Sequence, residues 1–145
     1  MLRVKNYTDV TKATTEAAFE KRVARAIKEL DWVSWHISHA FEAGWPDRYL
    51  PGGTWIELKS LKYTRHVTMG QGLSPAQERK MAELSDRGDM VFYLALINHT
   101  GGGQHLVMCP WGELTKKRRK ITVDDIPSLH KYPKDLKCLL QNTVL

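Results

Sequence analysis

The stretch GWPDRYLPGGTWIELKS, residues Gly44–Ser60, decides how the fold of this 145-residue chain is interpreted. Two runs with strand character flank the turn PGG, yet both runs carry charged residues where a strand interior ordinarily holds apolar ones. Closing a hairpin on this three-residue turn pairs Leu50 with Thr54 and, further along, Asp47 with Glu57. The two carboxylates are therefore expected opposite each other, on one face of the hairpin.

A lysine joins the two acids on this face. Period-two alternation places Lys59 beside Glu57, while Ile56 and Leu58 point to the opposite face and predict a core there. Like charges opposite each other destabilise a sheet, so Asp47 and Glu57 need either the lysine or a divalent cation. The alternatives are a salt-bridge cluster on an exposed sheet face and a Mg²⁺-type site, to which the carbonyl of Ile56 or Leu58 could add a ligand. In the second case Lys59 would position or activate a water, or stabilise charge on a phosphate.

Composition bounds the class of protein. Hydrophobic residues make up 42% and charged residues 26%, which is typical of a globular chain, and the length predicts one domain over residues 1–145. The net charge of +6 favours a polyanionic partner such as DNA. No apolar run approaches the ~20 residues needed to span a bilayer, and the N-terminus lacks the apolar core of a secretory signal. Two cysteines without metal-ligand spacing fit a reducing cytoplasm, and no membrane partner is expected.

The order of predicted elements is α-β-β-β-α-β-β, which is typical of one mixed α/β domain. Apolar residues at three- and four-residue spacing predict the first helix, and a glycine-containing polar loop separates the second helix from the hairpin. The predicted elements are helix Thr14–Leu30 capped by Thr14 or Thr15, a strand after Asp31, strands Pro46–Leu50 and Thr54–Leu61, helix Ser74–Arg87, strands Met90–Asn98 and His105–Cys109, and a short helix after Pro133.

The second helix begins with strong start signals. Ser74 is the expected N-cap, Pro75 takes the first helical position, and Gln77 completes a capping box. The capping box accounts for Gln77 by itself, so a structural role and a role in a site both stay open.

Four motifs in order resemble the VRR-Nuc branch of the PD-(D/E)XK nuclease superfamily. They are the helix FEKRVARAIKEL, the dipeptide PD at Asp47, the strand motif ELK at Glu57–Lys59, and SPAQ opening a helix at Ser74. The resemblance spans roughly Glu16–Ile97. It implies a single VRR-Nuc-like domain with a restriction-endonuclease-like core, in which a central mixed β-sheet is flanked by helices, and metal-dependent hydrolysis of phosphodiester bonds.

The resemblance also implies roles for individual residues. Asp47 and Glu57 look like ligands of Mg²⁺ or Mn²⁺, and Lys59 looks like the catalytic lysine. Glu20 looks like the helical acid that reaches the metal directly or through water, and Glu16, four residues earlier on the same helix face, is the fallback. No cation lies three or four positions from Glu20 on its helix, so a salt bridge within the helix is not expected there. Gln77 matches the family glutamine near the active site.

Basic residues around these motifs are candidate phosphate contacts. They are Arg48, Lys62, Arg65 and His66 near the hairpin, and Lys116, Lys117, Arg118 and Arg119 in the run KKRRK. Trp45 and Trp55 flank the acids, and either packing or stacking on DNA would explain them.

Stand-alone relatives of this branch, as found in phages, are linked to cleavage of Holliday junctions or other branched DNA. The resemblance thus implies a homodimeric, structure-selective DNA endonuclease acting inside a cell, with a phage-encoded origin. The alternatives are a nuclease of duplex or single-stranded DNA of restriction type, and a noncatalytic nucleic-acid-binding module of the same fold.

Overall fold

The computed structural model describes residues 14–37, 44–63, 66–99, 103–116, 120–122 and 129–144, without the side chains of residues 63, 66, 115, 116 and 120–122. Four helices and eight strands lie in these ranges. In chain order they are α1 (Glu16–Glu29), β1 (Trp35–His36), β2 (Arg48–Leu50), β3 (Thr54–Tyr63), β4 (His66–Thr68), α2 (Pro75–Asp86), β5 (Met90–His99), β6 (Gln104–Pro110), α3 (Trp111–Lys116), β7 (Lys120–Thr122), β8 (His130–Lys131) and α4 (Leu136–Val144).

A six-stranded sheet in the order β1-β2-β3-β5-β6-β8 forms the centre of the fold. β3 and β5 run parallel over ten residue pairs, and the other neighbours in this sheet are antiparallel. The parallel pair needs a crossover, which contains α2. β4 and β7 form a separate antiparallel pair. The predicted fold class, a mixed α/β fold with a central mixed sheet flanked by helices, is confirmed.

Apolar residues fill both faces of this sheet because alternate residues of β3 and β5 point to opposite sides. On one face α1 and α4 cover Ile56, Leu58 and Leu94. On the other face α2 and α3 cover Trp55, Leu61 and every second residue of β5 from Val91 to Ile97. The central strands are thus buried on both sides, and the charged side chains of Glu57 and Lys59 in the middle of β3 are removed from water.

The N-terminus of α1 is fixed to the sheet by a polar network around Asn98, which is only 4% exposed. The Asn98 amide nitrogen donates to Ser60 Oγ at 2.9 Å and to the Leu61 carbonyl at 3.1 Å. Its amide oxygen accepts from the Thr14 N–H at 3.1 Å and from Gln104 Nε2 at 2.7 Å. All four hydrogen-bonding positions of the buried amide are used, so the network holds the start of α1 against β3, β5 and β6.

Both predicted helix starts are confirmed. Thr15 caps α1 by accepting from the Ala18 N–H at 3.1 Å. Ser74 caps α2, and both bonds of the capping box with Gln77 are present at 3.1 and 2.9 Å. The sequence patterns missed α3 and the short strands β4, β7 and β8, whose two to six residues are too few to show a period. Within the described ranges no helix is long and apolar enough to cross a membrane.

The hairpin has the predicted register with one difference. Leu50 pairs with Thr54 and Arg48 with Ile56, as expected. β2 begins at Arg48 rather than Pro46, however, and Asp47 and Glu57 are not a ladder pair. The Asp47 side chain instead accepts the Leu58 N–H at 2.8 Å, so it takes the position that a backbone carbonyl would hold in a longer ladder.

Gly44, just before the hairpin, sets how closely α2 approaches it. A Cβ at Gly44 would lie 2.5 Å from the Ala76 carbonyl oxygen, and its φ is +98°. Gly52 has nearly the same φ, +96°, with nothing within 4 Å of a built Cβ. We expect Gly52→Ala to cost about 1 kcal/mol through the left-handed backbone alone, and Gly44→Ala to cost at least about 3 kcal/mol because the first turn of α2 must also move. Urea unfolding of the two variants measures the difference, and equal costs would contradict the close approach.

Candidate active site

Glu57 lies in the middle of β3, at the centre of the sheet, and is 1% exposed. Its Oε2 accepts a hydrogen bond from Gln77 Nε2 at 2.9 Å and lies 3.6 Å from Lys59 Nζ. Its Oε1 is buried and has no hydrogen-bond partner among the described residues. A buried carboxylate oxygen without a donor is costly, so this atom marks a place where a further positive group would be stabilising.

Asp47 lies beside Glu57 and joins two neighbouring strands. Its side chain accepts the Leu58 N–H of β3, and its backbone carbonyl accepts the Ile37 N–H at 3.0 Å on the β1 side. These two bonds fix the carboxylate at the point where β2 leaves the ladder. Asp47 is therefore held by the backbone on both sides, next to the Glu57 carboxylate.

Both acids are held in environments that disfavour their charge. Burial is the largest cause, and it raises the pKa of Glu57 to about 8, with the Asp47 carboxylate adding to the effect and Lys59 opposing it. Burial also raises the pKa of Asp47, against the Leu58 hydrogen bond, which lowers it. The acids Glu20 and Glu16 raise the pKa of Asp47 further. Two neighbouring acids with raised pKa values in one place are typical of a functional site.

Lys59 is 9% exposed and reaches back along the same face of the sheet. Its Nζ lies 3.6 Å from Glu57 Oε2 and 3.9 Å from Glu16 Oε1. Gly72 packs on its stem, since a Cβ there would lie 3.3 Å from Lys59 Cδ. The turn that carries Gly72 is held by Tyr93, whose hydroxyl donates to the Gln71 carbonyl at 2.9 Å. The ammonium group is therefore packed in place beside the acids.

Gln77 makes two sets of contacts with the two ends of its amide. The oxygen accepts the Ser74 N–H and completes the capping box, and the nitrogen donates to Glu57 at 2.9 Å. One side chain thus makes both the capping bond and a bond to Glu57, and the role of Gln77 in a site stays a prediction. Because the cap fixes the amide, Gln77 also fixes the orientation of the Glu57 carboxylate.

The two acids of α1 have different surroundings. Glu16 lies 3.9 Å from Lys59 Nζ and adds to the raised pKa of Glu57. Glu20 instead contacts the His36 ring nitrogen closely and lies 3.7 Å from Arg48 NH1. The expectation that Glu20 lacks a salt-bridge partner holds only within its helix, because its partners come from β1 and β2. Sequence spacing along one helix does not report contacts made across strands.

The donor set fits a hard divalent cation with few protein ligands. No group of three or more His, Cys, Asp or Glu side chains able to hold a metal is present among the residues that the structure describes. Mg²⁺ is commonly held by one or two carboxylates, with water and substrate phosphate completing its coordination. Asp47 and the Oε1 of Glu57 provide that number of oxygens, and burial, which raises the pKa of both acids, makes their ionised forms costly unless a cation lies beside them.

The predicted phosphate contacts are placed as follows. Arg48 is mostly buried, donates to Ser34 Oγ at 3.0 Å and lies near Glu20, so its guanidinium is used inside the protein. Lys62 is exposed on β3. The remaining predicted contacts lie outside the described residues or have side chains outside them: Arg65, His66, Lys116, Lys117, Arg118 and Arg119. Trp55 is buried and Trp45 packs against it with ring centroids 5.2 Å apart, which places both in the packing of the sheet.

A basic cleft that the sequence did not indicate lies between α1 and the start of α4. It has a volume of about 160 Å³, and four exposed cations line it together with one acid, Glu29; the cations are Arg22, Arg25, Lys134 and Lys137. Lys137 Nζ lies 3.7 Å from Glu29, which leaves an excess of positive charge. Arg22 and Arg25 lie three residues apart on one face of α1, whereas Lys134 precedes α4 and Lys137 lies in its first turn. The meeting of these two segments is a tertiary contact that no local pattern reports.

One of the solved structures to which this chain is similar comes from an archaeon. It is that of Archaeoglobus fulgidus Hjc, a Holliday junction resolvase from an archaeal hyperthermophile, with a TM-score of 0.49 and 16% sequence identity. The match covers 83% of this chain and 98% of that chain. No family model matches the sequence, and no curated protein does. A match of this identity and TM-score assigns no role to any residue of this chain.

The raised pKa of Glu57 predicts a pH-dependent stability in the absence of metal. Because the folded pKa of about 8 exceeds the ordinary value of 4.5, folding favours the protonated acid, and this stabilisation is complete below about pH 4.5 and lost as the pH rises towards 8. We therefore expect Glu57→Gln to gain stability relative to wild type by more than about 1 kcal/mol between pH 5 and pH 8. Urea unfolding in EDTA at these two pH values measures it.

A matched control is Glu113→Gln, which removes an exposed acid on α3 and should show no such change. Adding Mg²⁺ or Mn²⁺ at pH 8 should raise the unfolding midpoint of wild type and leave that of Glu57→Gln unchanged, because the cation binds the ionised carboxylates. A pH-independent difference between Glu57→Gln and wild type would contradict the burial argument.

Proposed function

We propose that this chain is a divalent-metal-dependent endonuclease that hydrolyses phosphodiester bonds in DNA. The observation that carries the proposal is the meeting of Asp47, Glu57 and Lys59 at one point, with a buried Glu57 oxygen that lacks a partner. A salt-bridge cluster on an exposed surface, the alternative left open by the sequence, does not explain a glutamate that is 1% exposed. The resemblance of the four sequence motifs to VRR-Nuc nucleases supports the same function.

Asp47 and Glu57 would hold the cation, Mg²⁺ or Mn²⁺. When bound, the ion would supply Lewis-acid stabilisation of charge on the phosphate and lower the pKa of a water. The backbone bonds of Asp47 and the Gln77 bond to Glu57 fix both carboxylates before any ion arrives. A preformed site of this kind lowers the reorganisation that binding and reaction require.

Lys59 supplies the fixed positive charge of the site. Its ammonium lies within 4 Å of two carboxylates, those of Glu16 and Glu57. From there it can donate a hydrogen bond to a phosphate oxygen or orient the attacking water as negative charge develops. The packing of Gly72 on its stem limits the positions that the ammonium can take.

DNA is the proposed substrate because the chain has a net charge of +6 and a basic cleft on the same helix as the site acids. Along the axis of α1, Arg22 and Arg25 lie roughly 9 and 14 Å from Glu16, at about 1.5 Å rise per residue, and they are turned about 240° and 180° around the helix from it. Cations placed in this way would contact phosphates remote from the scissile one. We infer a preference for branched DNA, and a homodimer that presents two sites to two strands, from the stand-alone VRR-Nuc resemblance.

The proposal is tested by cleavage of four labelled DNAs: a four-way junction, a flap, a linear duplex and a single strand. We expect wild type to cut the branched substrates with Mg²⁺ or Mn²⁺ and not with EDTA. Lys59→Ala should lower the rate at least ~100-fold, because a preorganised charge on the reacting group is removed. Lys28→Ala, which removes an exposed lysine from the last turn of α1, is the matched control and should retain the rate within about threefold.

Each negative outcome points to a different alternative. Binding of DNA without metal-dependent cleavage of any substrate would favour the noncatalytic module. Equal rates on all four DNAs would remove the structure selectivity and favour a nuclease of restriction type. A solution mass of one chain would remove the dimer while leaving the reaction in place.

The helical acid can be assigned by comparing two variants. Glu16 is the acid closer to Lys59, whereas Glu20 is used by His36 and Arg48, so we favour Glu16 over Glu20 for a role at the metal. We expect Glu16→Gln to lower the cleavage rate at least ~10-fold with little change in stability. Glu20→Gln should mainly lower the free energy of unfolding, by about 1–2 kcal/mol, because Arg48 loses its acidic neighbour. Rates and urea midpoints measured on both variants decide, and the reverse pattern would assign the role to Glu20.

A further inference from the structure

Trp35 on the edge strand β1 is half exposed although its ring is large and apolar. It is 50% exposed, and β1 is the first strand of the six-stranded sheet. A single exposed apolar side chain is ordinary in proteins. Met90 is exposed to a similar degree. Trp35 differs from it because its side chain stacks on the ring of Tyr49 and lies near the proposed metal ligand Asp47.

The Trp35 ring is held at the end of a line of aromatic rings. It stacks on Tyr49 with ring centroids 5.8 Å apart and an interplanar angle of 18°. Tyr49 contacts Trp55 at 4.5 Å, and Trp55 contacts Trp45 at 5.2 Å. Lys80 Nζ lies 4.5 Å from the Trp45 ring at the far end of the line. Because the inner rings are packed, the orientation of the outer ring is set before any ligand binds, which lowers the entropic cost of stacking on it.

The exposed ring is close to the proposed metal ligands. Trp35 pairs with Tyr49, and the pairing of β1 continues to Asp47, whose carbonyl accepts the Ile37 N–H. Trp35 is thus the diagonal neighbour of Asp47 across the two strands, a relation that places Cβ atoms on the order of 7–8 Å apart. This is about the reach from a phosphate bound at the acids to a base of the same or the next nucleotide.

We propose that Trp35 is a stacking residue for an unpaired base at the branch point of the DNA substrate. This proposal rests on the proposed function and names the feature of the substrate that the site would select. Stacking on an aromatic side chain is available to every base and needs the base to be out of the duplex stack. A linear duplex offers no such base next to the scissile phosphate, whereas a flap or an imperfectly stacked junction does.

Binding is measured first, with the full chain and metal replaced by EDTA. The probe is a flap carrying 2-aminopurine at the unpaired position nearest the branch, because stacking on an indole quenches its fluorescence. We expect quenching by wild type, binding close to that of wild type with weaker quenching for Trp35→Phe, which stacks without an indole, and loss of quenching with about tenfold weaker binding for Trp35→Ala. Met90→Ala, which removes an equally exposed apolar side chain, is the control and should behave as wild type.

Cleavage is measured second, as the ratio of the rates on flap and linear duplex. Trp35→Ala should lower this ratio about tenfold, and Trp35→Phe should restore most of it. An unchanged ratio and unchanged quenching in folded Trp35→Ala would overturn the stacking role and leave the nuclease in place. Equal loss on all substrates together with a fall in solution mass would also overturn it, and would assign Trp35 to contact between two copies of the chain. If wild type cuts no DNA, the proposed nuclease fails, and the quenching measurement still decides the stacking.

Discussion

The burial of a glutamate in the central strand is the constraint on which the rest of the site depends. Glu57 lies among ten residues of β3 that pair with β5, and its carboxylate is removed from water. Burying an ionised acid is unfavourable unless it is paired, and here one oxygen has a donor and the other has none among the described residues. The fold therefore keeps, at its centre, a group that would be more stable with a cation beside it.

The side chains around Glu57 are carried by α1, α2 and the hairpin, and ordinary structural features fix the positions of these three elements. The buried Asn98 network holds the start of α1, and with it Glu16, against the sheet. The capping box holds Gln77 at the start of α2, and Gly44 lets that turn approach the hairpin. Each feature would occur in a protein without this site. Together they bring two helix N-termini to the same place on β3, where the Leu58 N–H fixes the Asp47 carboxylate and the capped Gln77 fixes that of Glu57.

Local chemistry explains which parts were predictable from the sequence. The turn PGG fixed the start of the hairpin register, and the Ser74 and Thr15 caps set the helix starts, because each depends on residues close in the chain. The partners of Glu20 and the cleft between α1 and α4 depend on contacts between distant segments, which no period reports. Asp47 was predictable only in part. Its place beside Glu57 follows from the turn, but the hydrogen bond that its side chain accepts from the Leu58 N–H, in place of a ladder pair, does not.

The balance of charge in the site favours a divalent ion over a second lysine as the missing partner. Asp47, Glu57 and Glu16 surround one ammonium, that of Lys59, so the group has an excess of two negative charges when all its members are ionised. Protonation of Glu57, whose pKa is about 8, removes only one of them. A further ammonium would remove one as well and would need a stem to reach the buried Oε1. A small divalent ion removes both and can bind oxygens of two carboxylates at once. The unpaired oxygen, the raised pKa values and the charge excess are thus three consequences of one arrangement, and a single bound cation would relieve all of them.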